Sequence, residues 1–122
     1  MRITRKIIVL DAADLEAESS FWSALLGGKA DAEDDWHTVY DADGRSYLGI
    51  QLAPDHVPPT WPEGPQKQQI HLDLYVEDVA TAHEEALALG ARLLQPARDV
   101  NAAEGFQVYA DPAGHPFCLC WG

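Results

Sequence analysis

The sequence predicts an α+β fold, in which two βαβββ modules form curled mixed sheets around a cleft. An internal repeat, two helical stripes and one strictly alternating strand lead to it. Asp14 and Asp78 lie 64 residues apart, and the same offset sets Leu10 with Leu74, Ile8 with Leu72 and Ile7 with His71. Further along, Asp41 with Asp111, Gly44 with Gly114 and Trp36 with Phe106 are 70 apart, so the second half carries a few extra loop residues. A repeat of this kind reports architecture before any motif does. One βαβββ unit covers only one face of its sheet, so two units side by side shield the bare faces and leave a ligand-sized cleft.

Each element follows from local signals. Residues 3–10 (ITRKIIVL) are apolar and β-branched and read as a strand stopped by Asp11. Asp14 is a good N-cap for a helix over residues 15–26, with Leu15, Trp22, Leu25 and Leu26 on one face and Gly27-Gly28 as its left-handed exit. Residues 29–35 hold a short edge strand. Residues 36–40 (WHTVY) and 47–52 (YLGIQL) form a hairpin around the turn at 41–44. Five prolines between residues 53 and 68 exclude a central strand or a helix interior and mark a linker. In residues 69–76, His71, Asp73 and Tyr75 point one way, while Leu72, Leu74 and Val76 point the other and pack on the second helix. Asp78 caps that helix, residues 79–89, and Gly90 ends it. Strands at 91–95, 106–110 and 115–121 complete the second half, with a turn at 111–114.

At 122 residues the chain is the size of one domain, divided into module one (1–53), linker (54–68) and module two (69–122). No apolar run approaches the roughly 20 residues of a membrane helix, and the apolar stretch after Arg2, Arg5 and Lys6 is too short for a secretion signal. Eight Lys and Arg against twenty Asp and Glu give a formal charge of −12, which repels nucleic-acid phosphates and anionic membranes. Cys118 and Cys120, two apart in a strand, are poorly placed to bond to each other, which points to reduced thiols and a cytoplasmic protein. There is no P-loop, dinucleotide fingerprint, HExxH or paired CxxC.

Candidate site residues come from the polar face of the alternating strand and from the tryptophans. His71 and Tyr75 look into the cleft, although a merely solvated polar face is the plainer alternative. Trp22 and Trp121 most simply fill the core. Trp61, in the linker, packs over the cleft mouth, because a large aromatic is seldom left exposed without reason. Trp36 forms another cleft wall. Cys118 reads as a small buried hydrophobe, since no cation in the sequence holds it as a thiolate. His37 reads as a structural strand histidine, and no role falls to His56, His83 or His115.

Residues 8–28, 58–78 and 110–120 (ADPAGHPFCLC) resemble the glyoxalase-like branch of the vicinal oxygen chelate superfamily, which includes glyoxalase I, extradiol dioxygenases, and fosfomycin- and bleomycin-resistance proteins. The resemblance spans nearly the whole chain. It implies the two-module fold, a homodimer and a cleft for a small molecule. Metal enzymes of that superfamily place ligands, typically His and Glu, on four strands. The four positions fall here on Ile7, on Gln51 or else Leu48, on His71 and on Cys118. Only His71 is a good match, so the expectation is a binder of a small organic molecule without the family's metal centre, held by His71, Gln51, Trp36, Trp61, Tyr75 and Cys118. The alternative is a lyase, isomerase or dioxygenase using His71 with Zn, Ni, Mn or Fe.

Overall fold

The computed structural model describes residues 1–122 and contains two compact units, Met1–His56 and Val57–Gly122. The first runs β1 (Ile8–Ala12), α1 (Leu15–Leu25), β2 (Lys29–Ala32), β3 (Trp36–Tyr40) and β4 (Leu48–Leu52). The second repeats that order as β5 (Leu72–Tyr75), α2 (Val79–Leu89), β6 (Arg92–Gln95), β7 (Gly105–Ala110) and β8 (Pro116–Trp121). The sheets have equivalent strand orders, β1-β4-β3-β2 and β5-β8-β7-β6, with the first pair in each parallel and the others antiparallel. The expected pair of βαβββ units is present, and neither sheet closes into a barrel. No helix is long and apolar enough to cross a membrane.

The 64-residue offset holds from strand to helix end. Asp14 Oδ1 accepts from the backbone N–H of Ala17 (3.0 Å) and Asp78 Oδ1 from that of Thr81 (3.2 Å), so each aspartate satisfies a donor that the helix start leaves free. Gly90 closes α2 in the left-handed region at φ 112°. The later turns also match. Asp41 and Asp111 each donate a backbone N–H to the carbonyl of the residue four on, whose own N–H donates to the aspartate carboxylate.

Three boundaries differ from expectation. The first strand does not cover residues 3–10 but begins at Ile8 and continues through Asp11 to Ala12, because the parallel register sets Ile8 to Ala12 against Leu48 to Leu52. Asp11 does not stop it, since its side chain is on the exposed face opposite Gln51. The strand expected at 69–76 is confined to Leu72–Tyr75, which leaves His71 just ahead of it. Residues 57–68 group with the second unit, where Thr60 bridges to Lys67 and Pro58 packs against Gly114.

In the first unit Leu10, Ala12, Leu15, Phe21, Trp22, Val39, Leu48 and Ile50 are buried, and α1 lies on β2, β3 and β4. In the second, Ala86, Tyr109, Phe117 and Leu119 are buried, and α2 lies on β6 and β8. Each helix also hydrogen-bonds to its sheet through residues 64 apart, Ser19 and His83. Ser19 Oγ meets His37 Nδ1 at 2.7 Å, and His83 Nδ1 meets Tyr109 Oη at 2.7 Å. Gln107 Nε2 donates to the same Tyr109 oxygen at 2.8 Å, while its Oε1 accepts from Ala97 N–H. These pairs give His37 a structural role and assign His83 one that its sequence position did not suggest.

Candidate functional site

The face of the second sheet that carries Asp73 and Tyr75 is built in rows. Pairing sets Asp73 beside Cys118 and Cys118 beside Val108; one step along, Tyr75 lies beside Cys120 and Cys120 beside Phe106. Residues in register on neighbouring strands project to the same side, so these six side chains share one surface. Trp61 packs against the floor of Val108, Cys118 and Cys120, and the result is a pocket of about 710 Å³ lined by second-unit residues alone. Its walls are aromatic: Trp61, Tyr75, Phe106 and Trp121. Its polar groups are Gln68, His71, Asp73 and Glu104.

Trp121 takes its place through an omission on the neighbouring strand. Gly105 pairs with Trp121, and a Cβ at Gly105 would lie 2.6 Å from the indole. The indole N–H donates to Ala102 O at 2.9 Å, which fixes the ring. The first unit uses the same device from the opposite strand, with Trp36 over Gly49, where a Cβ would lie 2.3 Å from the ring.

His71 Nε2 stands 3.2 Å from Asp73 Oδ1, both side chains being about half exposed. In that contact the imidazole donates from Nε2, and the carboxylate accepts. One ligand atom each from His71, Asp73 and Cys118 lie within 4.8 Å of one another. Burial, then the negative charge of Asp73, push the Cys118 thiol up to about 12, and the same two causes raise Cys120. Both thiols are free and protonated near neutrality.

An imidazole, a carboxylate and a thiol at this spacing fit a thiophilic ion such as zinc, which accepts all three donor types. They do not reproduce the His and Glu set drawn from both halves that the resemblance implies. Ile7 has no donor atom. On β4, pairing matches Leu48 with Ile8 and Phe117 with Leu72, so equivalent positions are 69 apart and the counterpart of Cys118 is Gly49, neither Leu48 nor Gln51.

The pocket brings together four of the six residues expected at a site: His71, Tyr75, Trp61 and Cys118. Gln51 and Trp36 belong to the first unit, paired with each other across β4 and β3, and do not line this pocket. Trp121, expected to fill the core, is buried yet forms a pocket wall. Asp73 is on the expected face and gains a specific partner. Phe106 and Glu104 line the pocket as well. Phe106 is the repeat partner of Trp36, which was the available signal, whereas Glu104 lies in a loop where alternation gives no guidance.

The glyoxalase-like domain family matches residues 7–120. The genomically encoded fosfomycin resistance protein of Listeria monocytogenes superposes with a TM-score of 0.72 at 20% identity, over 100% of this chain and 95% of that one. A glyoxalase-related enzyme from Fulvimarina pelagi gives 0.68 at 23% identity, over 98% and 88%. A glyoxalase/bleomycin resistance protein/dioxygenase family enzyme from Burkholderia phytofirmans gives 0.70 at 18%, over 95% and 96%. No curated protein matches in sequence. With a family match over almost its entire length and the paired βαβββ units in place, the chain belongs to the glyoxalase-like domain family, within the vicinal oxygen chelate superfamily.

Proposed function

We propose that the chain binds a small organic molecule in the pocket on the second sheet, without the His and Glu metal centre of its relatives. The observation that carries this reading is the pocket itself, in which four aromatic rings and the His71–Asp73 pair face one space of about 710 Å³, within the range of small-molecule sites. His71 Nδ1 is the polar anchor, with Tyr75 as helper and Trp61 as the wall above the cysteine floor. A thermal-shift screen of small aromatic compounds tests it, since a ligand at a hundred times its Kd adds about 2.7 kcal/mol to stability. At least one compound is expected to raise the melting temperature, and a uniformly flat screen overturns the reading.

The convergence of His71, Asp73 and Cys118 supports a second reading, a metal-dependent lyase, isomerase or dioxygenase. His71, Asp73 and Cys118 would hold such an ion, which would supply a Lewis acid at the pocket wall. Titration with cobalt(II) is then expected to produce a near-ultraviolet thiolate charge-transfer band that Cys118→Ser removes. Unaltered protein that shows no band excludes this second reading.

The assembly is proposed to be a cytoplasmic homodimer, in keeping with the family and with the exposed apolar side chains Val9, Ile70, Tyr75 and Phe106. Light scattering is expected to give twice the chain mass, and a monomer mass at every concentration contradicts it.

A further inference from the structure

We propose that the pocket selects an aromatic organic cation, a flat ring system carrying a protonated amine, amidine or guanidine. This rests on the small-molecule reading above and names its ligand class. The polar lining is skewed toward acceptors and negative charge. Asp73 and Glu104 are carboxylates, and the Gln68 amide oxygen is buried without a donor. No lysine or arginine lines the pocket. The Trp121 N–H is already spent on Ala102 and the Cys118 thiol on Asp73, so the donors that remain belong to neutral groups such as the Tyr75 hydroxyl.

An anionic ligand therefore meets two carboxylates and no lysine or arginine to offset them, within a chain of formal charge −12 whose field repels it further. A neutral apolar ligand satisfies the rings but leaves the Gln68 oxygen orphaned, at the cost of an unmade hydrogen bond. A cation with an aromatic body answers both features. Its ring stacks on Trp61, Tyr75, Phe106 or Trp121, and the charge gains cation–π attraction from the ring faces as well as a carboxylate partner. The register also separates the two carboxylates. Asp73 is level with Cys118, whereas Glu104 precedes Gly105, which is level with Trp121, so they stand about 13 Å apart along the strand direction at ~3.3 Å per residue. Tyr75, Cys120 and Phe106 occupy the rows between, giving an aromatic stretch with an anionic group toward each end.

Calorimetric titration of chelator-treated full-length protein with three compounds of one skeleton tests this: 2-naphthylmethylamine, 2-naphthalenemethanol and 2-naphthoate, at neutral pH and low salt. The ammonium compound is expected to bind several-fold tighter than the alcohol and about tenfold or more tighter than the carboxylate, with an advantage that shrinks as salt screens it. In the double variant Asp73→Asn/Glu104→Gln that advantage is expected to collapse, with near-ultraviolet circular dichroism confirming intact tryptophan packing. If Asp73→Asn prevents folding, Glu104→Gln alone supplies the comparison, because Glu104 is exposed. Carboxylate binding as tight as that of the ammonium, or a preference unmoved in the folded variant, overturns the inference while leaving the small-molecule reading in place. Failure of all three to bind, together with a flat screen, overturns both.

Discussion

Replacing Trp22 by alanine is expected to lower the unfolding free energy by about 3–5 kcal/mol, the range for deleting a large aromatic from a packed interior. Trp22 is 1% exposed, on the face of α1 that meets the first sheet, and its ring meets that of Phe21 edge-on at 5.3 Å. The deletion loses transfer free energy and leaves a hole the strands cannot collapse to fill. Since native domains retain only about 5–15 kcal/mol in total, the variant should unfold at markedly lower denaturant with an unchanged m-value. A loss below about 1 kcal/mol means that the first unit is not held by this contact between helix and sheet.

His71→Ala is expected to do the reverse, weakening ligand binding while sparing the fold. The imidazole is about half exposed, one residue ahead of β5, and its packing contributes little. Against the compound found by thermal shift, affinity should fall by about 1–3 kcal/mol, the usual cost of leaving a buried polar partner unsatisfied. The unfolding free energy should stay within about 0.5 kcal/mol. If stability instead drops by several kcal/mol and affinity does not move, His71 is a structural residue and the functional reading of the pocket is wrong.

The architecture was legible because the repeat encodes it twice. Two aspartate caps, two stripes and two Asp-to-Gly turns agree with one another, and each has a local physical cause that long-range packing does not override. Alternation over residues 71–75 placed His71 and Tyr75 on the pocket face for the same reason: a strand offers only two sides. Strand ends were harder to read. Where β1 begins depends on how far β4 extends beside it, and no property of Ile3 or Ile7 carries that information. Register across strands was hidden too. The 70-residue offset of the turns becomes 69 on the paired strands, enough to replace Leu48 by Gly49 as the counterpart of Cys118. The role of Trp121 was obscured because a large apolar residue near a strand end reads the same whether it fills a core or walls a pocket.

The indole that lies over Gly105 gives this site an unusual route to change. Its place exists because the neighbouring strand has a hydrogen where other residues have a carbon. Added atoms at position 105 collide with the Trp121 ring, so the indole or the strand must shift although the tryptophan itself has not been altered. A descendant of this chain is therefore one codon away from a rearranged pocket rim, and the return step is equally short. The placing of that ring is heritable here at a position that contributes no side chain of its own.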